Sequence, residues 1–137
     1  MKEGWFGEDY FILFAESERT SKSQRYGVAT ALPGYTVIGL RGWDDLIVRD
    51  TRGDAYTVPA LPIAPQYLSQ CEVPDGTFLQ ADSRFTGKVK WYVKPLVFGG
   101  DPEAEDNVTR VSHEQHAELV VWWNQLYRKL KANGQCA

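Results

Sequence analysis

Short apolar segments alternate with polar turns over the first half of the chain. Residues 10–14 form an aromatic run that is too short for a typical helix, which favours a buried strand, and a short helix within residues 16–26 is expected next. After a Pro-Gly turn, three segments have the composition and spacing of successive strands: residues 35–40, 45–49 and 55–59. The pattern therefore predicts an antiparallel meander.

The middle of the chain is irregular and is followed by a clear alternation. Residues 59–76 contain four prolines, which lack the amide donor of a central strand, so we expect this segment to lie over a sheet edge. A half-buried strand is predicted from residue 88, with Val89, Trp91 and Val93 facing the core and Lys88, Lys90, Tyr92 and Lys94 facing solvent. Residues 96–98 are expected to continue this strand beyond Pro95.

The last element has the most complete set of helix signals. Ser112 and Gln115 have the spacing of a capping box, and Asn133-Gly134 provides a stop. An apolar stripe runs between them: Leu119, Val120, Trp123, Leu126, Tyr127 and Leu130. We therefore predict one α+β domain over residues 1–137, a single antiparallel sheet with flanking helices and a long helix, residues 112–131, packed on one face.

The composition is that of an ordinary folded domain. The chain has 137 residues, 43% of them hydrophobic, and its net charge of −3 is too small to indicate a polyanion-binding protein. No apolar run approaches the roughly 20 residues that cross a bilayer, and residues 1–9 lack the order of a secretory signal. We expect a cytoplasmic protein that does not enter membranes. Cys71 and Cys136 lack metal-site or redox spacing and are expected to be free thiols.

No pattern in the sequence indicates a catalytic centre. His113 and His116 are three residues apart, whereas a metalloprotease helix needs histidines four apart, and both fall in a first helical turn that should be exposed. Neither a nucleophile elbow nor a cysteine in an activating motif is present. We therefore predict that the protein is not an enzyme and has no metal site and no cofactor.

The lysine-bearing face of the strand at residues 88–94 allows a second interpretation. Its lysines, with Tyr92 and nearby Arg84, could hold phosphates beside a stacking aromatic ring, as single-stranded nucleic-acid binders do. Such a stripe is more often a solvated face, and this acidic chain has no paired aromatic motif. Direct nucleic-acid binding is therefore not expected.

Trp43 is the tryptophan whose position is least typical of a core residue. It lies in a turn between Gly42 and the pair Asp44 and Asp45, so it could either plug the end of the sheet, which we favour, or project as a binding anchor. Adjacent residues of a strand point to opposite faces, so the two aspartates would share a site only if the strand were irregular there.

Between residues 10 and 62 the chain resembles the core of the SUKH superfamily. The residues that carry the likeness are the aromatic strand, Glu18, Tyr26, Leu32-Pro33-Gly34-Tyr35, Ile38-Gly39, Asp44-Asp45, Asp50 and Val58-Pro59. This chain departs from the family in having Leu40-Arg41-Gly42-Trp43 where a glycine cluster is common, and in lacking a longer helical region at its start.

The resemblance implies an immunity protein, monomeric or homodimeric, that binds and neutralises a cognate bacterial toxin without catalysis. Toxins of this kind, such as nucleases, often carry basic clefts, which acidic side chains can oppose. The candidate partner-binding residues are Trp43, Asp44, Asp45, Glu103, Glu105 and Asp106, although each acid could equally be part of a solvated turn. The alternatives are a regulatory or scaffold interaction domain of the same superfamily, or a small-ligand or nucleic-acid binding module.

Overall fold

Six strands form an antiparallel sheet in which neighbours along the chain are also neighbours in space. The computed structural model describes residues 1–132. In it the strands are β1 (Lys2–Phe6), β2 (Asp9–Leu13), β3 (Thr36–Arg41), β4 (Asp45–Arg49), β5 (Ala55–Pro59) and β6 (Ser69–Gln70). The meander predicted for β3 to β5 is confirmed, and so is the buried strand predicted at residues 10–14, which is β2. The proline-rich segment does reach an edge, where β6 pairs with β5.

β1 is a strand that the sequence pattern did not reveal. Its sequence, Lys-Glu-Gly-Trp-Phe, lacks a regular alternation of apolar and polar residues. It is held by pairing with β2 and by an isolated bridge between Trp5 and Gln80, whose amide and carbonyl groups bond reciprocally at 2.8 and 2.9 Å. The strand is therefore held by its hairpin partner β2 on one side and by one contact across 75 residues of chain on the other.

A second, two-stranded sheet pairs β7 (Val89–Tyr92) with β8 (Val108–Val111). Val89 and Trp91 are buried as predicted, but Val93 is exposed, and Leu96–Phe98 is one turn of 3-10 helix rather than a continued strand. Pro95 lacks an amide donor and Gly99 takes a left-handed φ of 89°, so the chain turns between them. The prediction for Val93 and residues 96–98 was therefore wrong.

Three α-helices flank the sheets: α1 (Arg19–Arg25), α2 (Val28–Ala31) and α3 (His113–Ala132). The Ser112 hydroxyl accepts a hydrogen bond from the Gln115 amide, and the Ser112 amide donates one to the Gln115 side chain, both at 3.1 Å. The predicted capping box is confirmed, and so is the α+β fold class. The predicted stop at Asn133-Gly134, and Cys136, lie outside the described residues. No helix within residues 1–132 is both long and apolar enough to cross a membrane.

The buried face of α3 is rotated from the predicted stripe. Its buried residues are His116, Ala117, Val120, Asn124 and Tyr127, whereas Leu119, Trp123, Leu126 and Leu130 are half-buried. Two of these buried residues, His116 and Asn124, are polar. A stripe predicted from hydrophobicity alone therefore did not coincide with the buried face.

Asn124 joins α3 to the proline-rich segment. Its side-chain amide donates to the carbonyl oxygens of Ala60 and Val120, each at 2.7 Å, and its side-chain oxygen accepts from the Ile63 amide at 2.8 Å. The residue is 2% exposed, so these backbone groups have no access to water as a substitute.

Replacing Asn124 with alanine is expected to lower the free energy of unfolding by about 2–3 kcal/mol, because buried backbone groups lose their partners. Urea unfolding followed by tryptophan fluorescence measures this change. The matched control is Gln125→Ala, at an exposed position on the same helix, which should change stability by less than about 0.5 kcal/mol. Similar losses in the two variants would contradict this role of Asn124.

Candidate functional site

A cleft of about 200 Å³ lies between the β3–β4 turn and β7. Four short stretches line it: residues 43–45, residues 59–61, residues 90–92 and residues 95–97. Because Trp43, Trp91 and Tyr92 are among these residues, we call it the aromatic cleft. It is the place where the larger and the smaller sheet meet around a solvent-accessible space.

Trp43 lines the cleft, and its ring also packs against Tyr10 and Arg110. Gly42 and Trp43 have left-handed φ values of 62° and 64°, which for a residue other than glycine costs about 1–2 kcal/mol. The indole stacks on Tyr10 with centroids 4.8 Å apart, and the Arg110 guanidinium lies 5.1 Å from its ring centre. This packing offsets the backbone strain and matches the plug interpretation rather than a projecting anchor.

Asp44 lies in the β3–β4 turn and Asp45 begins β4, and both are among the residues around the cleft. Their carboxyl groups have different charged neighbours, since Asp44 faces Lys90 whereas Asp45 faces Arg41 and Asp9. The turn is pinned by a 2.9 Å hydrogen bond from the Ala60 amide to the Asp44 carbonyl oxygen.

The two carboxylates are without counter-ions in the described part of the chain. Neither carboxylate lies within 4.0 Å of a cationic group, and neither accepts a side-chain hydrogen bond there. Although Asp44 is exposed as a whole residue, desolvation raises the pKa of its carboxyl group, with Lys90 opposing. Desolvation likewise raises the pKa of half-buried Asp45, with Arg41 opposing. Both carboxyl groups are therefore partly desolvated.

Lys90 is the cationic residue that lines the cleft, and its ammonium group interacts with Tyr92. Its ammonium donates to the Tyr92 hydroxyl at 3.2 Å and lies 4.9 Å from the Tyr92 ring centre. Lys90 also faces Asp44, whereas the positive charge near Asp45 is Arg41. The lysine stripe considered as a phosphate-binding face thus contributes at least one member to the lining of the cleft.

Large apolar side chains are exposed in the segment that follows β7 and on α3. They are Val93 (55% exposed), Leu96 (46%), Val97 (37%) and Trp122 (56%), which we call the apolar rim. Phe98 packs on Trp123 with ring centres 5.1 Å apart, and Trp123 packs on Trp122 at 4.8 Å. These contacts place the turn at residues 96–98 against the part of α3 that carries Trp122.

The three predicted acids of the second group, Glu103, Glu105 and Asp106, are exposed in the loop between the rim and β8. The loop is tied to the end of β7, because the Asn107 side chain accepts from the Lys94 amide at 2.7 Å and donates to its carbonyl oxygen at 3.0 Å. No ion pair or hydrogen bond within residues 1–132 joins these acids to Asp44 or Asp45. The predicted site residues therefore fall into two groups, one in the cleft and one on this acidic loop.

His113 and His116 are not in an exposed turn, so that expectation was wrong. His116 is fully buried, and the Tyr26 hydroxyl lies 2.6 Å from its Nδ1. Burial raises the pKa of Tyr26, so its hydroxyl stays protonated and forms a neutral hydrogen bond with the imidazole. No group of three or more potential metal ligands occurs among residues 1–132.

Several residues of this surface were not singled out from sequence. Leu61, Leu96 and Val97 carry no motif, and the structure alone brings them together. Trp122 had a signal, since it lies outside the apolar stripe predicted for this helix, which includes Trp123. Comparison of the chain with protein-family models, curated proteins and solved structures produced no match.

Proposed function

We propose that the protein is an immunity protein, which binds a cognate toxin protein through the aromatic cleft, the apolar rim and the acidic loop and neutralises it without catalysis. The observation that supports this most is the apolar rim, because it exposes four large apolar side chains, of which Leu96 and Val97 also line the cleft. Exposed apolar groups of this size, bordered by polar residues, are typical of protein-binding surfaces.

The chemistry of this surface favours a protein partner with a basic face. Trp122 and Leu96 would supply the desolvated centre of the interface, where aromatic and apolar residues contribute most of the binding energy. The exposed acids of the loop, Glu103, Glu105 and Asp106, would oppose positive charge on the partner and speed its association.

The choice of a toxin among basic proteins rests on the resemblance to the SUKH superfamily. A regulatory or scaffold domain bound to an endogenous partner would use the same surface chemistry. The two functions differ in their biological result, since only an immunity protein protects a cell against a lethal neighbour.

The test is co-expression with the gene immediately upstream. We expect that gene to be lethal alone and to be tolerated when this protein is present. Leu96→Asp and Trp122→Asp should each weaken partner binding by about 30-fold, as expected when a central interface residue worth about 2 kcal/mol is lost, and should reduce protection.

Phe78→Asp is the matched control, because Phe78 is 66% exposed but lies outside the cleft and the rim. It should protect as well as the unchanged protein. A harmless neighbour, or death despite the protein, would overturn the immunity function. A homodimer in solution that Trp122→Asp dissociates would assign the rim to a second copy instead.

A further inference from the structure

We infer that the unpaired edge of β7, which borders the aromatic cleft, receives an extended segment of the partner protein as an additional strand. The inference rests on the proposed function for the identity of that partner. The capacity of the edge to bind an extended chain can be measured without it.

The backbone of β7 has one edge paired with β8 and one edge without a partner strand. The Val93 amide donates to the Asn107 carbonyl oxygen at 2.8 Å, in continuation of the register between β7 and β8. Hydrogen-bonded and non-hydrogen-bonded pairs alternate along an antiparallel ladder, so Lys90 and Tyr92 direct their backbone groups away from β8. No hydrogen bond within residues 1–132 satisfies these two N–H and two C=O groups.

The aromatic cleft borders this unpaired edge. Lys90, Trp91 and Tyr92 all line the cleft, although consecutive residues of a strand have side chains on opposite faces. A space that is lined by all three residues therefore lies along an edge of β7 and not over one of its faces. Since β8 occupies the other edge, the cleft gives access to the backbone groups of Lys90 and Tyr92.

An extended polypeptide has the chemistry that matches this edge. Its N–H and C=O groups can pair with those of Lys90 and Tyr92, as in recognition by strand addition. Leu96 and Val97 line the same cleft and are 46% and 37% exposed, so they offer apolar contacts to side chains of the segment. The cleft volume of about 200 Å³ is below the roughly 300–1,000 Å³ that is usual for sites of whole small molecules.

The charges along the edge argue against a second copy of this chain as the occupant. Lys90 lies in β7, and Lys88 and Lys94 flank the strand. Pairing of two β7 edges would bring the lysines of both copies to one side of the joined sheet, where like charges are destabilising. Lysines on an edge strand are a common protection against such pairing. A partner segment with a polar or acidic side chain beside Lys90 meets no such repulsion.

The test uses this protein and peptides selected on it from a phage-displayed library of random twelve-residue peptides. A selected peptide is synthesised together with versions that are methylated at one backbone nitrogen at a time. Methylation should weaken binding by about tenfold or more at alternate residues and little at the residues between them, since only every second amide of an added strand faces β7. The unmodified peptide should also slow hydrogen exchange at the amides of Lys90 and Tyr92, measured by NMR of ¹⁵N-labelled protein.

Lys90→Pro removes one donor of the edge and should weaken peptide binding by about tenfold. Proline is tolerated on an edge strand where the amide faces away from the neighbouring strand, so the variant should fold. Lys90→Ala is the matched control, because it removes the same side chain but keeps the donor, and it should change binding by less than about threefold.

Four results would overturn the inference: no selectable peptide, equal weakening by the two variants, methylation effects that do not alternate, or protection from exchange at Val108 and Arg110 on the outer edge of β8 instead. The methylation series and the exchange measurement use the unchanged protein, so they do not depend on whether a variant folds.

The two proposals can fail separately. Peptide binding at the edge without protection in co-expression would retain the β7 edge as a binding site and remove the toxin. Protection that Lys90→Pro leaves unchanged would retain the immunity function and exclude the β7 edge from the interface.

Discussion

Replacing Gly39 with alanine is expected to lower the free energy of unfolding by about 4 kcal/mol or more. Gly39 lies in β3, between β2 and β4, and pairs with Leu13 and Ile47. A Cβ atom at this position would overlap the carbonyl oxygen of Ile12, which is backbone in the adjacent strand. To remove this overlap, β2 and β3 would have to separate at the centre of the sheet, and hydrogen bonds and core packing would be lost.

Gly53→Ala is the control for this experiment. Gly53 has a left-handed φ of 90° in the β4–β5 turn, and no atom lies within 4 Å of an added Cβ. The control should cost only about 1 kcal/mol, from the backbone conformation alone. Chemical denaturation compares the two variants, and equal losses would show that the close approach at Gly39 is not the dominant constraint.

This result would also bear on the Ile38-Gly39 pair, one of the features by which the chain resembles the SUKH superfamily. The structure gives this glycine a packing reason that any tightly paired sheet could share. A large effect of Gly39→Ala would thus explain the residue without reference to function. The proposed toxin-binding surface depends on other parts of the molecule.

The second large effect is a loss of stability in mildly acidic solution through His116. Burial lowers the pKa of this imidazole to about 3, from an ordinary value of 6.5, and the nearby cations His113 and Lys22 act in the same direction. Between about pH 6.5 and pH 3, His116 is therefore protonated in the unfolded chain but not in the folded chain. Stability is complete above about pH 6.5 and is lost as the pH falls from there toward 3.

The slope of the unfolding free energy should approach about 1.4 kcal/mol per pH unit, so the loss between pH 7 and pH 4 is about 3 kcal/mol. Burial also lowers the pKa of His113, with the Glu3 carboxylate opposing, which adds to the loss in the same pH range. Urea unfolding at intervals between pH 4 and pH 7.5 measures the slope.

His116→Asn isolates the contribution of His116. The asparagine side-chain oxygen can accept the hydrogen bond from the Tyr26 hydroxyl but does not titrate. We expect a slope less than half that of the unchanged protein, whatever the absolute stability of the variant. An unchanged slope would contradict the assignment and leave His113 and the carboxylates as the source of acid sensitivity.

Features that depend on neighbouring residues could be predicted from the sequence. The alternation of apolar runs and turns predicted strands β2 to β5 with bounds that differ from the observed ones by no more than one residue. Ser112 with Gln115 predicted the start of α3. Turn residues and capping groups act on the backbone only a few positions away, so their effects can be recognised locally. The α+β class followed from these elements.

Features that depend on distant residues were decided by the tertiary structure. His116 and Asn124 are core residues because Tyr26, 90 positions away, and Ile63, 61 positions away, supply their hydrogen bonds. The aromatic cleft exists because the left-handed turn at Trp43 meets β7, and this meeting places Trp43 and Asp44 in the same cleft as Lys90 and Trp91. The sequence by itself determined the strands, the turns and the capped helix, whereas long-range packing determined which polar groups are buried and which side chains form the cleft and the rim.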